Sequence, residues 1–221
     1  TTAWPCATLL AATWNPNVVY QVGAAGGKEV KENNIAAWLT PALNIHRSPL
    51  CGRNFEYYSE DPLLAGVLAG AMVKGIQSQG VAATVKHFAL NNKETDRKHS
   101  DSRVSERAAR EIYLKAFEYV IKGAKPWAVM SSYNIINGCY ASENKELLED
   151  ILRDEWGFDG MVTTDWWTLG EHYKEVKAGN DMKMACGDPK RLKEAMDQGL
   201  LTRQDLEHCA ERVLNLILKL D

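Results

Sequence analysis

Apolar positions along the chain follow two alternating patterns, and their alternation predicts the architecture. One pattern is helical. After Asp61, the residues Leu64, Val67, Leu68, Ala71 and Met72 recur at i, i+3 and i+4 spacing, and Gly80 follows where such a helix should stop. A second helix is predicted over 105–122, with Ala109, Ile112, Tyr113, Ala116, Phe117 and Val120 on one face. A third covers 144–156 and ends at Gly157, and a fourth covers 202–220. The last opens with Thr202-x-x-Asp205, which resembles a capping box. Asn15-Pro16, Asp61-Pro62 and Asp188-Pro189 each place a capping side chain before a proline at the first helical position.

The other pattern is short and continuously apolar. Segments 35–40, 81–88, 127–133, 160–164 and, less sharply, 181–186 lie between the helices. Continuous rather than alternating apolar character is the mark of strands buried on both faces of a parallel sheet. Strand–helix alternation admits an open doubly wound sheet or a barrel. No G-x-G-x-x-G follows the first strand, and polar residues collect at the strands' C-terminal ends: Lys86-His87, Tyr133-Asn134 and Asp165-Trp166. Long polar loops, 44–60 and 91–104, follow the strands, whereas the returns from helix to strand are short. A (β/α)8 barrel of the TIM type builds its site from that face. The reading is therefore α/β, a TIM-type barrel formed by one domain over 1–221. About five strands are legible against the eight of a full barrel, so the barrel is expected to be incomplete at the N-terminus.

Composition narrows the partners. A formal net charge of −3 offers no footing for nucleic acid or an anionic membrane. No apolar run approaches the roughly 20 residues that span a bilayer. Thr1-Thr-Ala-Trp-Pro lacks the basic and apolar regions of a signal peptide. The five cysteines (Cys6, Cys51, Cys139, Cys186, Cys209) are odd in number and hold no C-x-x-C pair, so reduced, mostly buried thiols and a cytoplasmic location are expected.

Asp165 ends an apolar strand and precedes Trp166-Trp167. A carboxylate beside aromatic faces suits carbohydrate chemistry: rings stack on the apolar face of a sugar while the carboxylate attacks or stabilises an oxocarbenium-like centre. An N-cap for the following helix accounts for the same aspartate equally well. Lys86 and His87 read as donors to the hydroxyls of one ring, as a Schiff-base lysine, or as members of a buried ion pair. No second ligand stands at metal spacing from His87. In the loop Cys51-Gly-Arg-Asn-Phe-Glu-Tyr-Tyr, Arg53 offers a fork of donors that Glu56 can orient, although such a composition usually marks a solvated surface. Arg97 is the residue of the 91–103 run best placed to reach inward.

Together these segments resemble glycoside hydrolase family 3 in its β-glucosidase-type branch. The pieces that carry the resemblance are Thr2-Ala-Trp-Pro, Ala11-Ala-Thr-Trp-Asn, Leu43-Asn-Ile-His-Arg-Ser-Pro-Leu-Cys-Gly-Arg-Asn-Phe-Glu, Lys86-His-Phe, Ser105-Glu-Arg-Ala-Ala-Arg-Glu-Ile-Tyr-Leu, Met130-Ser-Ser-Tyr-Asn and Trp156-Gly-Phe-Asp-Gly-Met-Val-Thr-Thr-Asp-Trp. They extend over nearly the whole chain. The resemblance implies Asp165 as the nucleophile of a retaining β-glucosidase that removes terminal β-D-glucosyl residues. It implies Arg53, Lys86 and His87 as ligands of the sugar hydroxyls, with Met130, Tyr133 and Trp166 lining the subsite and Arg97 contributing from its loop. It implies no metal and no organic cofactor, and a β-glucoside or small oligosaccharide as substrate.

Two departures qualify that expectation. The family's barrel begins before Thr2-Ala-Trp-Pro, with an acidic sugar ligand in that stretch. Its acid/base glutamate comes from an α/β sandwich domain to which nothing here corresponds. The loop Ala89-Leu-Asn-Asn-Lys-Glu-Thr-Asp-Arg also lacks the Gly/His pattern of the N-acetylglucosaminidase branch. The expectation is a chain with little or no activity of its own on cellobiose, its acid supplied by a missing domain or a second fragment. Exposed strand edges would also invite self-association into a homo-oligomer. A β-xylosidase or α-arabinosidase, and a sugar-binding fragment without catalysis, are the alternative readings.

Overall fold

The computed structural model describes residues 1–185 and 187–220. Cys186, at the end of the 181–186 segment, and Asp221 lie outside the described residues. In chain order the elements are α1 (Ala7–Ala11), α2 (Pro16–Glu32), β1 (Ala37–Trp38), a 3-10 turn (Asn54–Glu56), α3 (Pro62–Gln77), β2 (Ala82–Phe88) and β3 (Asp101–Ser102). Then α4 (Glu106–Ala108) leads through a π turn (Ala109–Tyr113) into α5 (Lys115–Ala124). After β4 (Ala128–Ser131), β5 (Ile135–Ile136) and β6 (Cys139–Tyr140) come a 3-10 turn (Ala141–Glu143) and a π-helix (Glu146–Glu155). The chain closes with β7 (Met161–Thr164), α6 (His172–Ala178), α7 (Pro189–Asp197) and α8 (Arg203–Leu220).

The three capping aspartate or asparagine residues act as the sequence predicts. Asn15 accepts from the Asn17 and Val18 amides, Asp61 from those of Leu63 and Leu64, and Asp188 from that of Arg191, each ahead of a first-turn proline. The Thr202–Asp205 box is reciprocal: the Thr202 amide donates to Asp205 at 2.8 Å and the Asp205 amide to Thr202 Oγ1 at 3.2 Å.

Strands β1, β2, β4 and β7 lie side by side in that order, all parallel. Beyond β7, Met182 bridges Thr163 in parallel, and its carbonyl accepts from the Thr164 amide at 2.9 Å. The five apolar segments therefore succeed one another across a single sheet. This is an α/β fold of the TIM-barrel type, and the chain supplies five consecutive strand positions of it.

Val85, Val129 and Val162 turn towards the helices, where they join Phe88, Phe117, Leu148 and Leu152 in the main core. Phe88 and Phe117 meet edge to face, centroids 5.1 Å apart. Complete burial of each such side chain stabilises by roughly 1.5–3 kcal/mol. On the inner face, Ala82, Ala128 and Met161, at the starts of three strands, pack against Leu216 of α8. Lys219 of the same helix lies 3.6 Å from Asp159. α8 thus closes the N-terminal ends of the strands and leaves the C-terminal ends free for a site.

Helices α2 and α3 approach through glycine. A Cβ on Gly75 would press on the Tyr20 carbonyl oxygen and stand 2.8 Å from the Ala24 nitrogen, both backbone atoms. Gly75→Ala is expected to destabilise at the upper end of the roughly 1–3 kcal/mol that overpacking costs, outweighing the gain of about 1 kcal/mol in helix propensity. A lower urea midpoint with unchanged slope would report it.

Several details differ from the sequence reading. The 105–122 helix contains a π turn, with the Leu114 amide bonded to the Ala109 carbonyl at 2.8 Å. The extra residue in that turn rotates Ile112 out of the predicted apolar face, leaving it 41% exposed. Helices α1 and α6 are too short to show periodicity. A small sheet of β3, β5 and β6 stands apart from the five predicted strands. Its hairpin turns at Asn137-Gly138, both with positive φ, and that dipeptide is the signal that reveals it. Among the described cysteines, Cys51 and Cys209 are buried, Cys139 is half-buried and Cys6 is exposed, so the expectation of buried thiols holds for two of four. Among the described residues, no helix is long and apolar enough to cross a membrane, and no cluster of three His, Cys, Asp or Glu side chains stands ready for a metal ion.

Candidate active site

Strand alternation assigns the inner face. With Val85, Val129 and Val162 facing the helices, Lys86, Met130 and Asp165 fall on the opposite side. Asp165 directly follows β7 and is 5% exposed. Its Oδ1 accepts from the Trp166 amide at 2.7 Å, whereas its buried Oδ2 has no hydrogen-bond partner. The N-cap alternative for this residue falls: the next helix, α6, begins at His172, well beyond it.

His87 is buried, and its Nε2 lies 3.8 Å from Asp165 Oδ2. The other ring nitrogen is 3.2 Å from the Tyr57 hydroxyl, which also receives the Asn91 side-chain amide at 3.3 Å. The His87 backbone is held as well: Asn44 accepts from its amide and donates to its carbonyl, both at 2.8 Å. Burial, and then Arg53, Lys86 and Arg97, hold the His87 imidazole well below its ordinary pKa, so it stands neutral.

Glu56, presented by the 3-10 turn, accepts from Arg53 Nε and forms an ion pair with Lys86 at 3.4 Å. Lys86 therefore does pair with an acid, but a half-buried rather than a buried one, and Glu56 also holds Arg53 as expected. Each cation keeps further donors free of Glu56, since an ammonium has three and a guanidinium five. The solvated-surface reading of this loop holds in part: Gly52, Phe55, Glu60 and Asp61 are exposed, whereas Cys51, Tyr57 and Tyr58 are buried. His46 anchors the loop from beneath, its Nε2 lying 2.9 Å from the Asn54 carbonyl and 3.0 Å from that of Tyr57.

Arg97 does reach inward. Its guanidinium carbon lies 4.5 Å from the Tyr133 ring centre, and Nη1 donates to Glu94 at 2.8 Å. The loop that carries it is pinned by β3, so the unforeseen small sheet positions a foreseen residue. Tyr133, beside Asp165, has its hydroxyl pushed up to about 12, first by burial and then by the Asp165 charge. Burial also pushes the Asp165 carboxyl above its ordinary range, against the opposing pull of the Trp166 amide, Tyr133, Arg53 and Arg97. Trp166 and Trp167 form a partly exposed wall, rings 5.7 Å apart.

All eight residues singled out from the sequence thus lie at the same end of the sheet, Met130 beneath them and fully buried. Tyr57, Asn91 and Glu94 join them and were not foreseen. They enter through contacts with residues 30 or more positions away or within a polar loop, which no local pattern records.

At the C-terminal end of the parallel strands the chain thus gathers a buried carboxylate, the cations Arg53, Lys86 and Arg97, neutral His87 and aromatic walls. The sequence profile of the glycosyl hydrolase family 3 N-terminal domain matches residues 1–216, and the chain belongs to that family. Beta-glucosidase A of Butyrivibrio fibrisolvens is 66% identical over 94% of this chain and 25% of its own length. An exo-alpha-(1->6)-L-arabinopyranosidase of Bifidobacterium longum is 45% identical over 99% of this chain and 29% of its own. The structure of beta-glucosidase 3B from Thermotoga neapolitana in complex with glucose superposes with a TM-score of 0.96 at 48% identity, over 99% of this chain and 32% of that one. The chain therefore spans between a quarter and a third of the length of these relatives.

Proposed function

We propose that the chain is the nucleophile-bearing part of a retaining β-glucosidase, with Asp165 attacking the anomeric carbon of a terminal β-D-glucosyl residue. The observation that carries the reading is the Asp165 carboxylate, with one oxygen held by a peptide N–H and the other buried, unpaired and facing the cluster. In the first step that free oxygen forms the bond to the anomeric carbon as the bond to the leaving oxygen breaks, giving a glycosyl ester. A retaining mechanism needs a second carboxyl group about 5–5.5 Å away to protonate the leaving group. We assign that group to a part of the polypeptide, or a partner fragment, outside these 221 residues. Water then displaces Asp165 from the ester, with that second group acting as the base.

The remaining residues supply binding. Lys86, Arg53 and Arg97 donate to sugar hydroxyls with the hydrogens that Glu56 and Glu94 leave free. Neutral His87 takes part as a hydrogen-bond donor rather than a charge. Tyr133, Trp166 and Met130 supply apolar and aromatic walls. No cofactor enters the scheme.

The kinship with arabinopyranosidases favours a second reading, in which the subsite takes a pentopyranose lacking the sixth carbon. Intact-mass analysis after incubation with 2,4-dinitrophenyl 2-deoxy-2-fluoro-β-glucoside tests both. The activated leaving group departs without an acid, and the fluorine slows hydrolysis of the ester. One added fluoroglucosyl group on the peptide containing Asp165 is the expected result. Faster labelling by the corresponding arabinopyranosyl reagent would select the second reading, and no label from either on folded protein would overturn the proposal.

A further inference from the structure

A charged cluster that the scheme above does not use lies directly behind the Trp166–Trp167 turn. Glu175 of α6 is 0% exposed, and Lys183 is its ion-pair partner. The Lys183 ammonium also donates to Thr168 Oγ1 at 3.1 Å and to the Gly170 carbonyl at 3.2 Å. The Thr168 hydroxyl in turn donates to Glu175 Oε1 at 2.6 Å. Three groups thus close a ring of hydrogen bonds away from water, with Thr168 as the member contributed by the turn.

The next residue, Met184, extends the clamp. Its carbonyl accepts from the Trp167 amide at 2.9 Å, and its amide donates to Thr164 Oγ1, also at 2.9 Å. Trp167 itself sits at φ 54, in the left-handed region that a bulky residue adopts only when its surroundings hold it there. The orientation of Asp165 depends on this turn, because the Trp166 amide donates to its Oδ1 at 2.7 Å. A buried ion pair is an inefficient way to gain stability, since an apolar pair of similar volume usually packs as well or better. Its retention behind the turn points to geometry rather than stability.

We propose that Lys183, Glu175 and Thr168 are positioning residues: they lock the Trp166–Trp167 turn so that the Trp166 amide presents Asp165 Oδ2 to the sugar. The catalytic part of this inference rests on the glycosidase reading; the structural part does not.

The test uses the full chain and two variants. Thr168→Val removes the hydroxyl at nearly constant volume. The double variant Glu175→Leu with Lys183→Met removes both charges without leaving either one buried and unpaired, and so keeps a folded protein available. Hydrogen exchange of the Trp166 and Trp167 amides is read beside the rate of fluoroglucosyl labelling and the dissociation constant for glucose. Both variants are expected to exchange these two amides at least tenfold faster, with β4 amides unchanged. Labelling is expected to slow by tenfold or more while glucose affinity moves less than threefold. Amide protection within twofold of the parent in both variants would overturn the proposal. So would labelling that falls only in step with glucose affinity. Failure of the parent chain to label would sink the glycosidase reading alone, and the exchange data would still decide whether the cluster holds the turn.

Discussion

Asp165→Asn is expected to eliminate fluoroglucosyl labelling, by a factor on the order of 10⁴ or more, while raising the melting temperature at neutral pH. The amide oxygen can still accept from the Trp166 N–H, and the shape of the site is unchanged, so the loss would report chemistry rather than unfolding. The stability gain follows from the electrostatics. Burial raises the Asp165 pKa above its value in the unfolded chain. A group shifted upward favours the folded state when protonated, and that contribution is lost as the pH rises through the folded-state pKa. At neutral pH the parent protein therefore carries a buried carboxylate that the variant lacks. A rise of roughly 2–4 °C corresponds to about 1 kcal/mol in a chain of this size. The difference between parent and variant is expected to shrink as the pH falls towards the ordinary aspartate range. Melting curves across that range, set beside intact-mass labelling, check both halves. A variant that melts lower than the parent at neutral pH would contradict the electrostatic account.

The second large effect lies below the site. Arg153 is almost wholly buried and donates to the Gly160 carbonyl at 2.9 Å and to Asp181 Oδ2 at 2.9 Å. The same Asp181 oxygen accepts from the Val162 amide at 2.7 Å, in the middle of β7. Arg212 of α8 reaches Asp181 Oδ1 at 3.2 Å and Glu149 at 3.0 Å. Burial pushes the Asp181 carboxyl upward even with two arginines beside it. Arg153→Ala would leave that carboxylate with the Val162 amide and a single cation, Arg212, and open space around it. Removing one member of a buried pair costs about 3–5 kcal/mol, a fall of roughly 6–20 °C in melting temperature. Arg153→Ala paired with Asp181→Asn should recover part of the loss, because the buried carboxylate is no longer there to be under-compensated by Arg212 alone. Thermal unfolding of the single and double variants decides this. Equal losses in both would mean that packing, not charge, sets the cost.

Much of this architecture was legible because its signals are local. Each aspartate or asparagine ahead of a proline closes its own helix within three residues, and the continuous apolar runs mark strands whatever their neighbours. The strand ends also pointed to the cluster, since Lys86, Tyr133 and Asp165 follow apolar runs at the end of the sheet where a barrel builds its site. The family's motifs added the assignment of roles. What stayed hidden depends on long-range contacts or on backbone detail. The π turn at Ala109–Tyr113 leaves the apolar spacing of the helix nearly intact and betrays itself only by exposing Ile112. Glu56 read as an orienter of Arg53, three residues away, but its hold on Lys86 needs the loop folded over β2. Glu175 and Lys183 look from the sequence like ordinary surface charges on a helix and its return, and only the tertiary packing buries them.

The sharing of Glu56 has a consequence for which molecules the pocket admits. Three cations, Arg53, Lys86 and Arg97, stand against three carboxyl groups, Glu56, Glu94 and Asp165. Within this cluster the charges cancel when all are ionised, and the Lys98 ammonium, 5.0 Å from the Tyr133 ring centre, adds one partly exposed cation at its rim, where solvent and salt screen it. On the glycosidase reading, an approaching sugar would be drawn in by contact and hydrogen bonding rather than by long-range attraction. Ionic strength should then alter its capture little, since little extended potential is left for salt to screen. On the same reading, uronic acids and sugar phosphates are expected to gain no advantage over their uncharged counterparts, and a neutral ring is the guest that would disturb this balance least.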